Sequence, residues 1–214
     1  MGFSLKHVSR SLLRTAYNFL VFKEIVPLYG ELIWVDPKKC VTFLDDSYFK
    51  EYFGLRLRQA SGLVVNTWPE RYVRSIKEHP KVVYCLSHWI GGKTWREAGA
   101  VDFMLENIAL SPSGCVDDCQ NELEVLERFF ALDKVWLAVQ NKGRLLTRKE
   151  IFPNNFREIG GILIHLGPGG VPIFSGAGCH RFAMALALGK PFPAQLGCVH
   201  ISALDSLAKY RKYD

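Results

Sequence analysis

The sequence predicts an α+β chain, with a small mixed-sheet domain over residues 117–214 preceded by a mainly helical N-terminal accessory region over residues 1–116. Three observations predict it. Residues 171–189 read in succession as strand, small-residue turn and helix. Residues 160–174 read as two apolar strands joined by the turn Gly167-Pro168-Gly169-Gly170. Apolar residues also recur at helical spacing over 5–20, and again from about 117 to 141.

The first of these organises the rest. Val171, Ile173 and Phe174 form an apolar strand end, and Pro172 marks it as an edge or the start of a run. Ser175, Gly176, Ala177 and Gly178 carry almost no side chain. Phe182 to Leu188 are helix formers, and Gly189 followed by Lys190 and Pro191 stops them. Such a turn leaves the first helical N–H groups unpaired, with the positive end of the helix dipole behind them, which makes an anion site. Cys179, His180 and Arg181 stand on the first turn, where they can reach the bound group. Arginine adds a planar fork for phosphate oxygens, so a nucleotide phosphate is the expected guest.

Charge follows the same division. Of the formal +6, residues 134–214 hold eleven Lys/Arg against four Asp/Glu, whereas residues 1–133 hold sixteen against seventeen. The basic excess therefore accompanies the glycine turn, as suits a nucleotide or nucleic acid. Six cysteines without an export signal predict no disulfide framework and a cytoplasmic location. Lys6, Arg10, Arg14 and Lys23 interrupt the apolar positions that a secretory signal needs. No apolar run reaches the ~18 residues of a membrane-spanning helix. Cys115 and Cys119 lack a second pair at zinc spacing, so no metal is expected there. Cys198 falls in an apolar strand pattern and reads as a buried, inert thiol.

In chain order, residues 5–20 predict a basic amphipathic helix; such a helix can lie on a membrane or a partner, but packing of its apolar side onto its own domain is the preferred reading. Residues 31–35 predict a strand stopped by Asp36 and Pro37, and residues 61–65 another. Residues 41–53 are aromatic and acidic and fit a helix or a loop. Residues 69–78 predict a helix ended before Pro80, while residues 81–86 fit either strand or helix. Thr94 and Glu97 have the spacing of a capping box opening a helix. Within 160–166, His165 reads as a satisfied core residue. Arg157 and Glu158 read as a solvent-exposed pair, with Glu158 alternatively a base or metal-anchoring carboxylate, and Arg144, Arg148 and Lys149 as a cationic loop that either closes on phosphates or is simply solvated.

Gly178-Cys179-His180-Arg181, with an aromatic strand end before it and an alanine-rich helix and a Pro-Ala-Gln-Leu strand after it, resembles the sulfiredoxin signature. More broadly, the chain from Asp133 onward is similar to the ParB/sulfiredoxin-like superfamily. The resemblance implies that this turn and helix hold the phosphates of ATP or another nucleoside triphosphate with Mg2+. The implied binding residues are Gly176, Gly178, Cys179, His180, Arg181 and, on the preceding helix, Lys134. Leu137 and Asn141 stand where sulfiredoxins place hydroxyl side chains, so the pattern is incomplete.

Cys179 and His180 are the candidate catalytic residues. Three readings follow. The leading one is an ATP-dependent phosphotransferase acting on a small or protein acceptor, in which Cys179 is incidental while the backbone, His180 and Arg181 hold the phosphates. The second is a sulfiredoxin-type cysteine sulfinic acid reductase, in which Cys179, at a helix N-terminus beside His and Arg, is expected to have a lowered pKa and attack as a thiolate. The third is a ParB-like, nucleotide-switched module on DNA. It is the least favoured, because about 25 residues after Gly189 leave no room for a helix-turn-helix.

Overall fold

The computed structural model describes residues 5–23, 25–44, 50–52 and 54–212. The aromatic stretch expected over 41–53 falls partly outside them, at 45–49 and 53. The α+β class holds: helices surround one mixed sheet of seven strands.

The central strand is β7 (Phe192–His200), buried at every residue up to Val199. One edge of β7 takes β5 (Ile162–Leu166) in parallel. The other takes β1 (Leu32–Val35) antiparallel at its start and β3 (Val64–Val65) parallel at its end. Beyond β5 the sheet continues through β6 (Pro172–Phe174), β2 (Thr42–Leu44) and β4 (Val73–Ser75). The β5–β6 hairpin around Gly167 and Gly170 is the one its sequence predicts. Strands from residues 32–75 and 162–200 thus share one sheet, with a large apolar cluster running from Ile33 to Leu207 and a smaller one of Leu44, Ala60, Val65, Ile173 and Cys198. The expected mainly helical region, 1–116, supplies β1 to β4 as well as α1 (Leu5–Phe22), α2 (Pro80–Trp89) and α3 (Ala100–Leu110).

Several expectations are corrected. Residues 69–78 form no α-helix: two short 3-10 turns flank β4, whose backbone is taken up by antiparallel pairing with β2. Pro80 opens a helix instead of following one, which settles residues 81–86 as α2, since proline suits the first helical turn. Thr94 and Glu97 do exchange capping hydrogen bonds, at 2.8 and 3.2 Å, but over a turn; the helix starts only after Gly99, in left-handed geometry. The helix expected from 117 begins later, as α4 (Glu122–Lys142), because Asp117 and Asp118 adopt positive φ in a turn. Asn121 caps α4 through Glu124 N–H at 3.1 Å. Helix α1 is present, but its apolar side does not pack inward: Ser11 and Asn18 are buried, while Leu13 and Leu20 are 74% and 76% exposed.

The helical layer is pinned by Asp133 on α4. Its carboxylate accepts from Trp89 Nε1 at 3.0 Å, Trp95 Nε1 at 2.9 Å and His88 Nε2 at 3.0 Å. Trp95 stacks on Phe129 and Trp89 on Trp136, so these bonds hold an aromatic cluster in register. Asp133→Ala leaves two indole donors facing apolar rings, and should lower unfolding free energy by about 1–3 kcal/mol in urea titration.

Candidate functional site

The turn after β6 is stitched to β5: Ser175 N–H donates to Leu163 O, and Leu163 N–H to Ala177 O, both at 3.1 Å. Gly178 caps α6 (Cys179–Leu188) at φ 90°, and a Cβ there would stand 3.0 Å from Ile162 Cα. Both the left-handed backbone and the close approach require glycine. Gly176 also has positive φ and faces His79.

From this fixed start the first-turn side chains diverge, as successive helical positions must. Cys179 Sγ donates to Gly176 O at 2.8 Å and lies 3.9 Å from His79 Nε2. Burial pushes its thiol up to about 11, against the expected thiolate: the apolar surroundings outweigh the nearby Lys81 and Arg58. His180 points to α2, with Nε2 3.3 Å from Tyr84 Oη. Burial, then Lys81 and Arg128, lower it to about 4, so the ring is neutral. Arg181 turns the third way and donates from Nη2 to Leu146 O.

Arg181 is where charge accumulates. It neighbours Glu158, Arg148 and Arg58. Arg58 donates from Nη1 to Gly161 O at 2.9 Å and to Gln195 Oε1 at 3.0 Å, and Gly160 N–H donates to the same oxygen at 3.1 Å. Arg148, which opens α5 (Arg148–Ile151), donates its backbone N–H to Glu158 Oε2 at 2.8 Å. Glu158 is therefore no exposed pair with Arg157. It is buried, its carboxyl is raised by that burial, and Arg157 bonds to Tyr29 O instead. Among the described residues, Arg148 Nε, Arg181 Nη1, Gln195 Nε2 and Glu158 Oε1 are buried without a hydrogen-bond partner. Two guanidinium groups beside one carboxylate, with Arg58 next to them and buried donors left unpartnered, constitute an anion-seeking environment.

On its other side Arg181 borders a hollow of about 420 Å3 between α4 and α6. Lys134, Lys142 and Arg144 rim it, with Val139, Leu146 and Met184 as apolar wall. The structure thus brings together Arg181 and Lys134, whereas Cys179 and His180 face elsewhere and Gly176 and Gly178 shape the turn. Sequence reasoning missed Arg58, Gln195 and His79. Arg58 lies more than a hundred residues from its partners, in a stretch without a motif; Gln195 belongs to the quoted Pro-Ala-Gln-Leu strand, where one polar residue in an apolar run was the available signal. His165 is in the core as expected, its Nδ1 taking the Cys198 N–H at 2.9 Å. Among the described residues, no three metal-ligating side chains come together.

No family model, curated protein or solved structure matches the chain.

Two outcomes follow from these environments. The Cys179 thiolate fraction should be small at pH 8 and climb about tenfold per pH unit toward 11; iodoacetamide labelling at Cys179, read by mass spectrometry, should follow that climb. His165 and His180 are lowered from 6.5 to about 3 and about 4. The unfolded chain then binds more protons below pH 6.5, so their stabilisation is complete above that pH and is lost as pH falls toward 4. The urea midpoint should drop over this window, and less steeply in His180→Gln.

Proposed function

We infer that the chain binds a nucleoside triphosphate beside Arg181 and acts as an ATP-dependent phosphotransferase on an acceptor that Glu158 faces. The observation that carries this reading is the surplus of buried, unpartnered donors around Arg58, Arg148 and Arg181. In this reading, the buried, unpartnered Arg148 Nε and Arg181 Nη1 turn to take phosphate oxygens, the α6 N-terminus adds its partial positive charge, and Lys134 lies on the rim. The apolar wall of Val139, Leu146 and Met184 suits the flat face of a base. Glu158, with one oxygen unpartnered and its pKa raised, is suited to take a proton from an acceptor hydroxyl. Mg2+ arriving with the nucleotide would supply neutralisation of phosphate charge.

A sulfinic acid reductase is the second reading, favoured by the approach of Cys179 Sγ to His79 Nε2 at 3.9 Å. The raised thiol pKa works against it.

Thermal shift with ATP and CTP, each with and without Mg2+, tests the binding step. A nucleotide at a hundred times its Kd should stabilise the wild type by about 2.7 kcal/mol. Arg181→Ala should weaken binding by about tenfold or more, the effect of a lost charge-assisted bond, with Arg181→Lys intermediate. Cys179→Ser should leave nucleotide turnover intact if the transferase reading is right and abolish sulfinate repair if the second is. Absence of stabilisation by every nucleotide overturns both.

A further inference from the structure

Helix α1 is mounted opposite to the usual surface helix, which buries its apolar stripe. Its inward face is polar and anchored: Asn18 Nδ2 donates to Pro27 O and to Gly62 O, both at 2.8 Å, and His7 Nδ1 lies 3.0 Å from Tyr29 Oη. Its outward face carries Leu12, Leu13, Tyr17, Phe19, Leu20 and Val21, each at least half exposed. The anchors fix this orientation, because turning the leucines inward would break both Asn18 bonds.

Charge indicates what covers the face. From Met1 to Lys23 the sequence holds Lys6, Arg10, Arg14 and Lys23 and no acidic residue. Arg10 and Arg14 border a hollow of about 420 Å3 with Leu13, Tyr17, Tyr29 and Gln59, directly beside the exposed leucines. Arg14 Nη1 is buried there without a partner among the described residues. No described helix is long and apolar enough to cross a membrane. We propose that α1 lies in the plane of an anionic lipid bilayer, with Leu13 and Leu20 entering the acyl boundary and a headgroup phosphate between Arg10 and Arg14. A helix of this length covers about 27 Å of surface, and apolar area combined with positive charge is the requirement for such binding. A second copy on the same face would bring two acid-free basic helices together, a like-charge contact that disfavours it.

Co-sedimentation of the full chain with vesicles tests this. Vesicles of phosphatidylcholine mixed with phosphatidylserine should pellet the wild type on the order of a hundredfold more strongly than phosphatidylcholine alone, the effect of roughly three basic residues near a charged surface. Added salt should weaken that binding. The double variant Leu13→Glu, Leu20→Glu should lose binding yet unfold at the wild-type temperature, since both side chains face solvent; Arg10→Glu should lose the preference for anionic vesicles. Equal binding of wild type and the double variant overturns the proposal. So does failure to bind either vesicle, including the case in which analytical ultracentrifugation finds a dimer that the double variant splits.

Discussion

The side-chain oxygen of Gln195 joins three stretches of chain that sequence separates widely. It lies on the central strand, wholly buried, and accepts from Arg58 and from the backbone of Gly160. A buried amide of this kind is held in one orientation, because losing either partner would strand a polar group in the interior. The loop before β5 and the 3-10 turn at Leu57–Ala60 are thereby fixed against β7, and Arg58 with them. The position of Arg181 depends on the same frame, since Gly178 seats α6 on the backbone where β5 begins.

That frame concentrates positive charge where it is costly to do so. Burial lowers the proton affinity of Arg58 and of Arg181, with the charge of Arg148 adding to both and that of Arg58 to Arg181, and the nearby carboxylate, Glu158, is itself shifted toward neutrality by burial. Desolvated like charges oppose folding unless something compensates them. Hydrogen bonds to Gly161 O, Gln195 and Leu146 O compensate part of the cost, leaving donors over. An anion entering such a cluster would add stability and so couple occupancy to folding.

Much of the fold was legible because local signals agreed with tertiary context. The β5–β6 hairpin, the glycine-flanked α6 and most of α4 carry period, turn chemistry and caps that point the same way. Strands β2 and β4 were not, because short strands of three residues carry too little alternation to outweigh the turns around them. For α1 the period was legible and the facing was not: amphipathicity gives two faces but not which one meets the protein, and here the Asn18 bonds decided it. At the candidate site the turn and Arg181 stood out as a motif, whereas Arg58 joins only through long-range packing. Glu158 was misread because a charged pair before a strand is ordinarily solvated; what buries it is α5 folding back to donate Arg148 N–H.

Cys40, Cys85, Cys119 and Cys198 are buried, and all six thiols are free. Burial raises Cys40 to about 12 and pushes Cys85 and Cys198 well above the ordinary range, so in the native state they are protonated and shielded from oxidants. Denaturation removes this protection from every one of them at once. In air, a chain held open for hours would cross-link through mismatched sulfur pairs, which makes reductant a condition for reversible unfolding.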